Sequence, residues 1–176
     1  MRAHRQRLSL PLLTVPILGV ESVWSTEMAF ASPYLVSLGL PKSIMASTFL
    51  VGPLSGFLVQ PLVGGWADAS QSRFGRRRPF MLAGTLICGS SMLLLGYGRA
   101  LVTLFTTPGS LNDILTIIIV VGALYIIDFS VNAVMAVDRA LIVDVLPPSV
   151  QDQANAWGSR MLSLGNLAGF YTHVNF

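Results

Sequence analysis

Charge is scarce in this chain of 176 residues. Asp, Glu, Lys and Arg make up 11% of it while 53% is hydrophobic, against about a quarter charged in ordinary soluble domains. With so few charges and a mean hydropathy of +0.67, the chain cannot clothe a water-soluble globule, and an integral membrane protein is expected. Cysteine is almost missing too: Cys88 stands alone inside an apolar run, which excludes a disulfide framework and a thiolate metal site. The two histidines, His4 and His173, sit at opposite ends, so neither suggests a metal ligand or a catalytic base. No constellation of catalytic groups and no cofactor signature is present, and an enzyme is not expected. The net charge of +3 is no nucleic-acid footprint, because the arginines flank apolar segments and no basic face interleaved with aromatics is found.

What the chain has in abundance is long apolar segments. A helix crossing the hydrocarbon core needs about 20 mostly apolar residues, and five stretches qualify: 8–34, 43–66, 79–98, 114–146 and 154–172. Residues 1–7 precede them as a short tail, and the connections are brief. The N-terminal Arg2, Arg5 and Arg7 could be mistaken for the head of a secretory leader. The apolar stretch that follows carries Pro11, Pro16, Glu21 and Glu27 without a small-residue cleavage pattern, so a first transmembrane helix is expected instead. Those three arginines and Arg73, Arg76, Arg77 and Arg78 fall on one side of the alternating segments, against Lys42 and Arg99 on the other. Positive loop residues are retained in the cytoplasm, which orients the N-terminus inside. Gly52, Gly56, Gly64 and Gly65 in the second segment, and Gly84, Gly89, Gly96 and Gly98 in the third, suggest close helix packing or hinges.

Charges inside the segments carry the functional signal, since each costs about 2.5 to 3.5 kcal/mol on insertion scales and marks a protein interior. Glu21 and Glu27 lie on the first segment, with Trp24 three residues from each and able to neighbour both. On the fourth, Tyr125, Asp128, Asn132, Met135 and Arg139 follow spacings of 3, 4, 3 and 4, one stripe on one helix face. Asp128 and Arg139 are about 16 Å apart along that axis and cannot touch in a straight helix. The stripe could be a polar network joining helices or the lining of an aqueous path. Asp138 and Asp144 fall off this face, as ion-pair or gate residues. Arg160 on the fifth segment could be a counter-ion to Asp128 or Glu21, or a structural pairing partner.

Gly64-x-x-x-Asp68 followed by Arg73-Phe74-Gly75-Arg76-Arg77-Arg78 resembles the loop between helices two and three of the major facilitator superfamily. The four residues Ala69 to Ser72 that separate the aspartate from the arginine run, together with Gly52-Pro53-Leu54-Ser55-Gly56, Val59-Gln60-Pro61 and Asp138-Arg139-Ala140-Leu141, resemble its sucrose-transporter-like branch. Asp138-Arg139-Ala140 has the fungal form, and Glu27 stands where plant members carry glutamine. The resemblance implies a twelve-helix transporter with a proton and a small sugar as its partners, no cofactor and no metal. It further implies sugar binding and proton coupling through Asp128, Arg139 and Glu27; the residues themselves add Glu21 as a second candidate proton carrier, Asn132 on the polar stripe, and Trp24 and Tyr125 as rings on which a sugar can stack. Gly64, Asp68, Arg73, Gly75, Arg76, Arg77 and Arg78 would form a cytoplasmic gate closing against a second domain.

Five helices are fewer than one six-helix half of that architecture. The expectation is therefore an all-α integral membrane protein, an incomplete N-terminal bundle that needs its C-terminal half and does not transport alone. The sugar would be an α-glucoside of sucrose or maltose type, and the plasma membrane is favoured over the vacuole. The competing expectation is a non-transporting membrane sensor or truncated remnant that binds partner helices.

Overall fold

The computed structural model describes the backbone of residues 2–175 and the side chains of residues 10–41 and 43–172. The side chains of Arg2, His4, Arg5, Arg7, Lys42 and His173 lie outside the described residues. Among the described residues six helices follow in order: α1 (Arg2–Ser37), α2 (Lys42–Phe49), α3 (Val51–Ala69), α4 (Arg78–Phe105), α5 (Ser110–Val145) and α6 (Pro148–Asn175). No strand occurs among the described residues.

The second expected helix is divided into α2 and α3. Pro53 has no amide to donate to the carbonyl of Phe49, so the ladder is interrupted there. Leu50 nevertheless stays in the helical region, at φ −64° and ψ −22°. The Leu54 amide donates to the Leu50 carbonyl at 3.3 Å, so the two helices continue as one rod. α4 runs past the expected end at Gly98 because nothing breaks it before Pro108. Its last turn is closed by the Thr106 hydroxyl on the Val102 carbonyl, and Asn112 Nδ2 donates to Thr106 Oγ1 at 2.9 Å to bind the turn into α5. After α1 the chain reverses at Gly39, whose φ of +87° favours glycine.

α5 is the central post. α1, α3 and α4 pack along it, and α6 packs chiefly on α1. The α4–α5 seam closes where Gly84 and Gly98 meet Val134 and Val120: a Cβ on either glycine would lie 2.5 or 2.9 Å from a valine methyl. The α1–α6 seam is tighter still, with Gly165 and Gly169 against the backbone and short side chains of α1. In lipid, where no hydrophobic force drives helices together, such small residues allow the close approach that dispersion forces require. Gly64, Gly65, Gly89 and Gly96 meet nothing within 4 Å, so glycines of the second and third segments divide between seam and open surface.

The distribution of side chains is inverted relative to a soluble protein. Glu21, Glu27, Ser55, Asn112, Asp128 and Asp138 are buried, while Phe57, Leu62, Trp66, Leu86, Leu104 and Phe105 stand exposed on α3 and α4. An apolar exterior over a polar interior is stable only when the surrounding solvent is itself apolar. The stretch Ser43–Ala69, α4 and α5 are each long and apolar enough to cross a bilayer. α1 and α6, of 36 and 28 residues, have the length but carry more polar side chains. This is an all-α integral membrane protein.

Candidate functional site

A cavity of about 530 Å³ opens between α1, the α2–α3 rod, α5 and α6. Its polar lining comes from Glu21, Gln60 and Asn132, and Trp24 and Phe49 supply aromatic walls. Each polar group is held by a neighbour from another helix. Asn132 Nδ2 donates to Ser55 Oγ at 2.9 Å, and Gln60 Nε2 donates to Asn132 Oδ1 at 2.9 Å, so α5 is tied to α3. Across the cavity, Asn166 Nδ2 on α6 donates to Glu21 Oε1 at 2.8 Å, while the Ser25 hydroxyl donates to Asn166 Oδ1 at 2.6 Å. Gly52 and Gly56 leave room for this arrangement: a Cβ on Gly56 would lie 3.1 Å from Asn132 Oδ1, and one on Gly52 would touch Asp128 Oδ1 at 3.4 Å.

Asp128 is buried against the Gly52 backbone, and neither of its carboxylate oxygens has a hydrogen-bond partner among the described residues. Glu27 is in the same condition, buried with both oxygens unpartnered among the described residues. It faces a different space, a mostly apolar cleft of about 460 Å³ between α1 and α4. Trp24 therefore shares a cavity with Glu21 but not with Glu27, although the spacing of 3 allowed both. Asp138 is a third buried and unpartnered carboxylate.

The five-residue stripe on α5 is also distributed. Asn132 and Met135 line the large cavity; Met135 and Arg139 line a second, smaller one of about 310 Å³ with Asn155 and Ser159 of α6. Tyr125 packs instead on the apolar cluster around Leu35 and Leu124. Arg160 lies over the Trp157 ring, 4.7 Å from its centroid, and forms no ion pair with Asp128 or Glu21. Gln60, Asn155 and Ser159, which line the cavities, and Ser25 and Asn166, which brace Glu21, are not among the expected site residues. Asn166 had a usable signal, an amide on an otherwise small and apolar helix face between Gly165 and Gly169.

At the end of the bundle carrying the α3–α4 loop, the basic motif forms one connected network. Arg77, with 7% of its side chain exposed, donates through Nε to Asp144 Oδ2 at 2.9 Å and through Nη2 to Asp68. Arg76 reaches the same Asp144 oxygen at 3.2 Å. Burial opposes the charge on Arg77, yet the two carboxylates outweigh it and hold the guanidinium above its ordinary pKa. Gly75, at φ +97°, makes the turn that presents these arginines, and Arg73 stacks over Phe74 at 4.7 Å. Arg78 opens α4, and Gly64 has open space around it. Asp144, placed off the stripe by spacing, is thus the anchor that binds this loop to α5.

No family model and no solved structure matches the chain. It is 40% identical over 166 residues to the general alpha-glucoside permease of Schizosaccharomyces pombe, an alignment covering 94% of this chain and 30% of the permease. It is 36% identical over 162 residues to a sucrose transport protein of Oryza sativa subsp. japonica, covering 88% of this chain and 32% of that protein. The chain belongs to the sucrose-transporter-like branch of the major facilitator superfamily. Proton-associated sugar transporter A of Mus musculus is a further relative, 35% identical over 159 residues with 88% of this chain and 20% of the transporter covered. The chain thus spans about a third or less of the length of these members of the branch.

Proposed function

We propose that the complete gene product is a proton-coupled sugar symporter for α-glucosides of sucrose or maltose type, and that this chain supplies part of its N-terminal helix bundle. The observation that carries the reading is the cavity of about 530 Å³ with polar groups on three helices, next to the buried, unpartnered Asp128. A neutral polyol is held by hydrogen bonds to such groups and by stacking on a ring such as Trp24. A carboxyl in a water-poor interior favours its neutral form and so can carry a proton. Relatives named as an alpha-glucoside permease, a sucrose transport protein and a proton-associated sugar transporter support the same substrate class.

In this reading Asp128 and Glu27 serve proton coupling. Arg139, Glu21, Asn132 and Trp24 face the sugar path, and the Asp68–Arg77–Asp144 network holds the cytoplasmic end closed. The N-terminus lies inside the cell, the plasma membrane is the site of action, and the remaining helices of the carrier complete the path. The test is uptake of labelled sucrose and maltose by the complete gene product in cells lacking other glucoside carriers. Uptake should rise as the outside pH falls and should be lost in Asp128→Asn with the protein still in the membrane. Absence of uptake of any glucoside by the wild type, or full acid-driven uptake in the variant, would refute it and leave a non-transporting role.

A further inference from the structure

The large and small cavities are neighbours on one face of the bundle, and the same two residues, Met135 of α5 and Leu162 of α6, line both. The order of side chains along each helix repeats. On α5, polar Asn132 is followed by Met135 and then by Arg139, seven residues and about 10 Å from the asparagine. On α6, read in the opposite direction, polar Asn166 is followed by Leu162 and then by Ser159 and Asn155. Two polar stations are separated by an apolar collar, at matching heights on two adjacent helices.

The station at Arg139 is uncommitted. Neither Arg139 nor Asn155 makes a side-chain hydrogen bond or ion pair among the described residues. The Ser159 hydroxyl donates only to the Asn155 carbonyl, so its oxygen remains free to accept. By contrast, Glu21, Gln60 and Asn132 of the large cavity each already make a hydrogen bond to a neighbouring helix and offer a sugar only their remaining donors and acceptors. A guanidinium with five donors, an amide that both donates and accepts, and a free hydroxyl acceptor form a set matched to sugar hydroxyls, which must donate and accept at once. An anion, which only accepts, would leave Asn155 Oδ1 and Ser159 Oγ without a donor.

We infer that the smaller cavity is a second sugar-binding station, in which Arg139, Asn155 and Ser159 take one ring of a disaccharide while the larger cavity holds the other. Met135 and Leu162 form the apolar waist that the glycosidic link crosses. This rests on the sugar-carrier reading and extends it by dividing the path into two subsites. It places Asn155 and Ser159 among the residues that distinguish disaccharides from monosaccharide glycosides. Both lie on the open face of α6, away from its seam with α1, so their truncation leaves the helix packing untouched.

The experiment compares binding of maltose and of methyl α-glucoside to the purified complete gene product, in the wild type and in an Asn155→Ala/Ser159→Ala double variant. Loss of two hydrogen bonds predicts roughly tenfold weaker maltose binding, with methyl α-glucoside, which fills only the larger station, changed less than about twofold. Ser159→Thr, which keeps the hydroxyl, should hold maltose more tightly than Ser159→Ala. Equal weakening of both ligands, or no weakening of either, overturns the second station while leaving the carrier reading intact. A wild type that binds neither ligand overturns the carrier reading and this inference with it.

Discussion

The α1–α6 seam offers a direct measurement of how far the cavity depends on helix contact. A Cβ on Gly165 would lie 2.6 Å from the Leu18 carbonyl oxygen and 2.8 Å from Glu21 Cβ. Ordinary contact begins at 3.4 Å, so Gly165→Ala has to separate the helices locally by about 0.8 Å. The neighbouring hydrogen bond from Asn166 to Glu21, now 2.8 Å, would lengthen past about 3.5 Å and cease to be one. Overpacking costs about 1 to 3 kcal/mol, and an interhelical hydrogen bond in a membrane protein adds about 0.6. Alanine's helix propensity returns up to about 1, for a net loss of roughly 1 to 3 kcal/mol. Gly19→Ala is the matched control, since Gly19 lies on α1 with nothing within 4 Å and should gain up to about 1 kcal/mol. Thermal midpoints in detergent should therefore fall for Gly165→Ala and hold or rise for Gly19→Ala. On the proposed sugar-carrier reading, glucoside binding by the complete gene product should weaken only in the former, as the Glu21 wall moves. Equal midpoints for the two variants would refute the reasoning, because it attributes the whole difference to the seam.

Two further outcomes follow from the polar networks. Arg77→Ala removes the buried link between Asp68 and Asp144 and should lower the thermal midpoint more than Arg76→Ala, whose side chain is 47% exposed and contributes about 0 to 1 kcal/mol. Equal effects would show that burial of Arg77 adds nothing. Asn132→Leu leaves Gln60 and Ser55 without their α5 partner and should cost about 1 to 3 kcal/mol. Ser55→Ala should cost less, since Asn132 keeps Gln60 and the Asp128 carbonyl; thermal midpoints rank the two, and the reverse order would contradict the assignment of Asn132 as the hub.

Several features were legible from residues alone because the physics behind them is local. Twenty apolar residues suffice to cross a bilayer whatever surrounds them, so the all-helical membrane class followed from composition and run length. A carboxylate in such a run is costly in any fold, which singles out Glu21, Glu27 and Asp128 whatever they pack against. Pro108 marks the turn after α4 through its own stereochemistry, whereas the break at Pro53 falls inside the segment 43–66 expected to be one helix. What a stripe faces is not local. Tyr125, Asp128, Asn132 and Arg139 share one side of α5, yet they meet an apolar cluster, the bare backbone of Gly52, the Ser55–Gln60 pair and a separate cavity. Glu21 finds its partner in Asn166, 145 residues away, rather than in Arg160. A helix face spans several neighbours, and only the crossing of distant segments, set by where glycines let backbones close up, decides which polar group is satisfied and which is left free for a ligand.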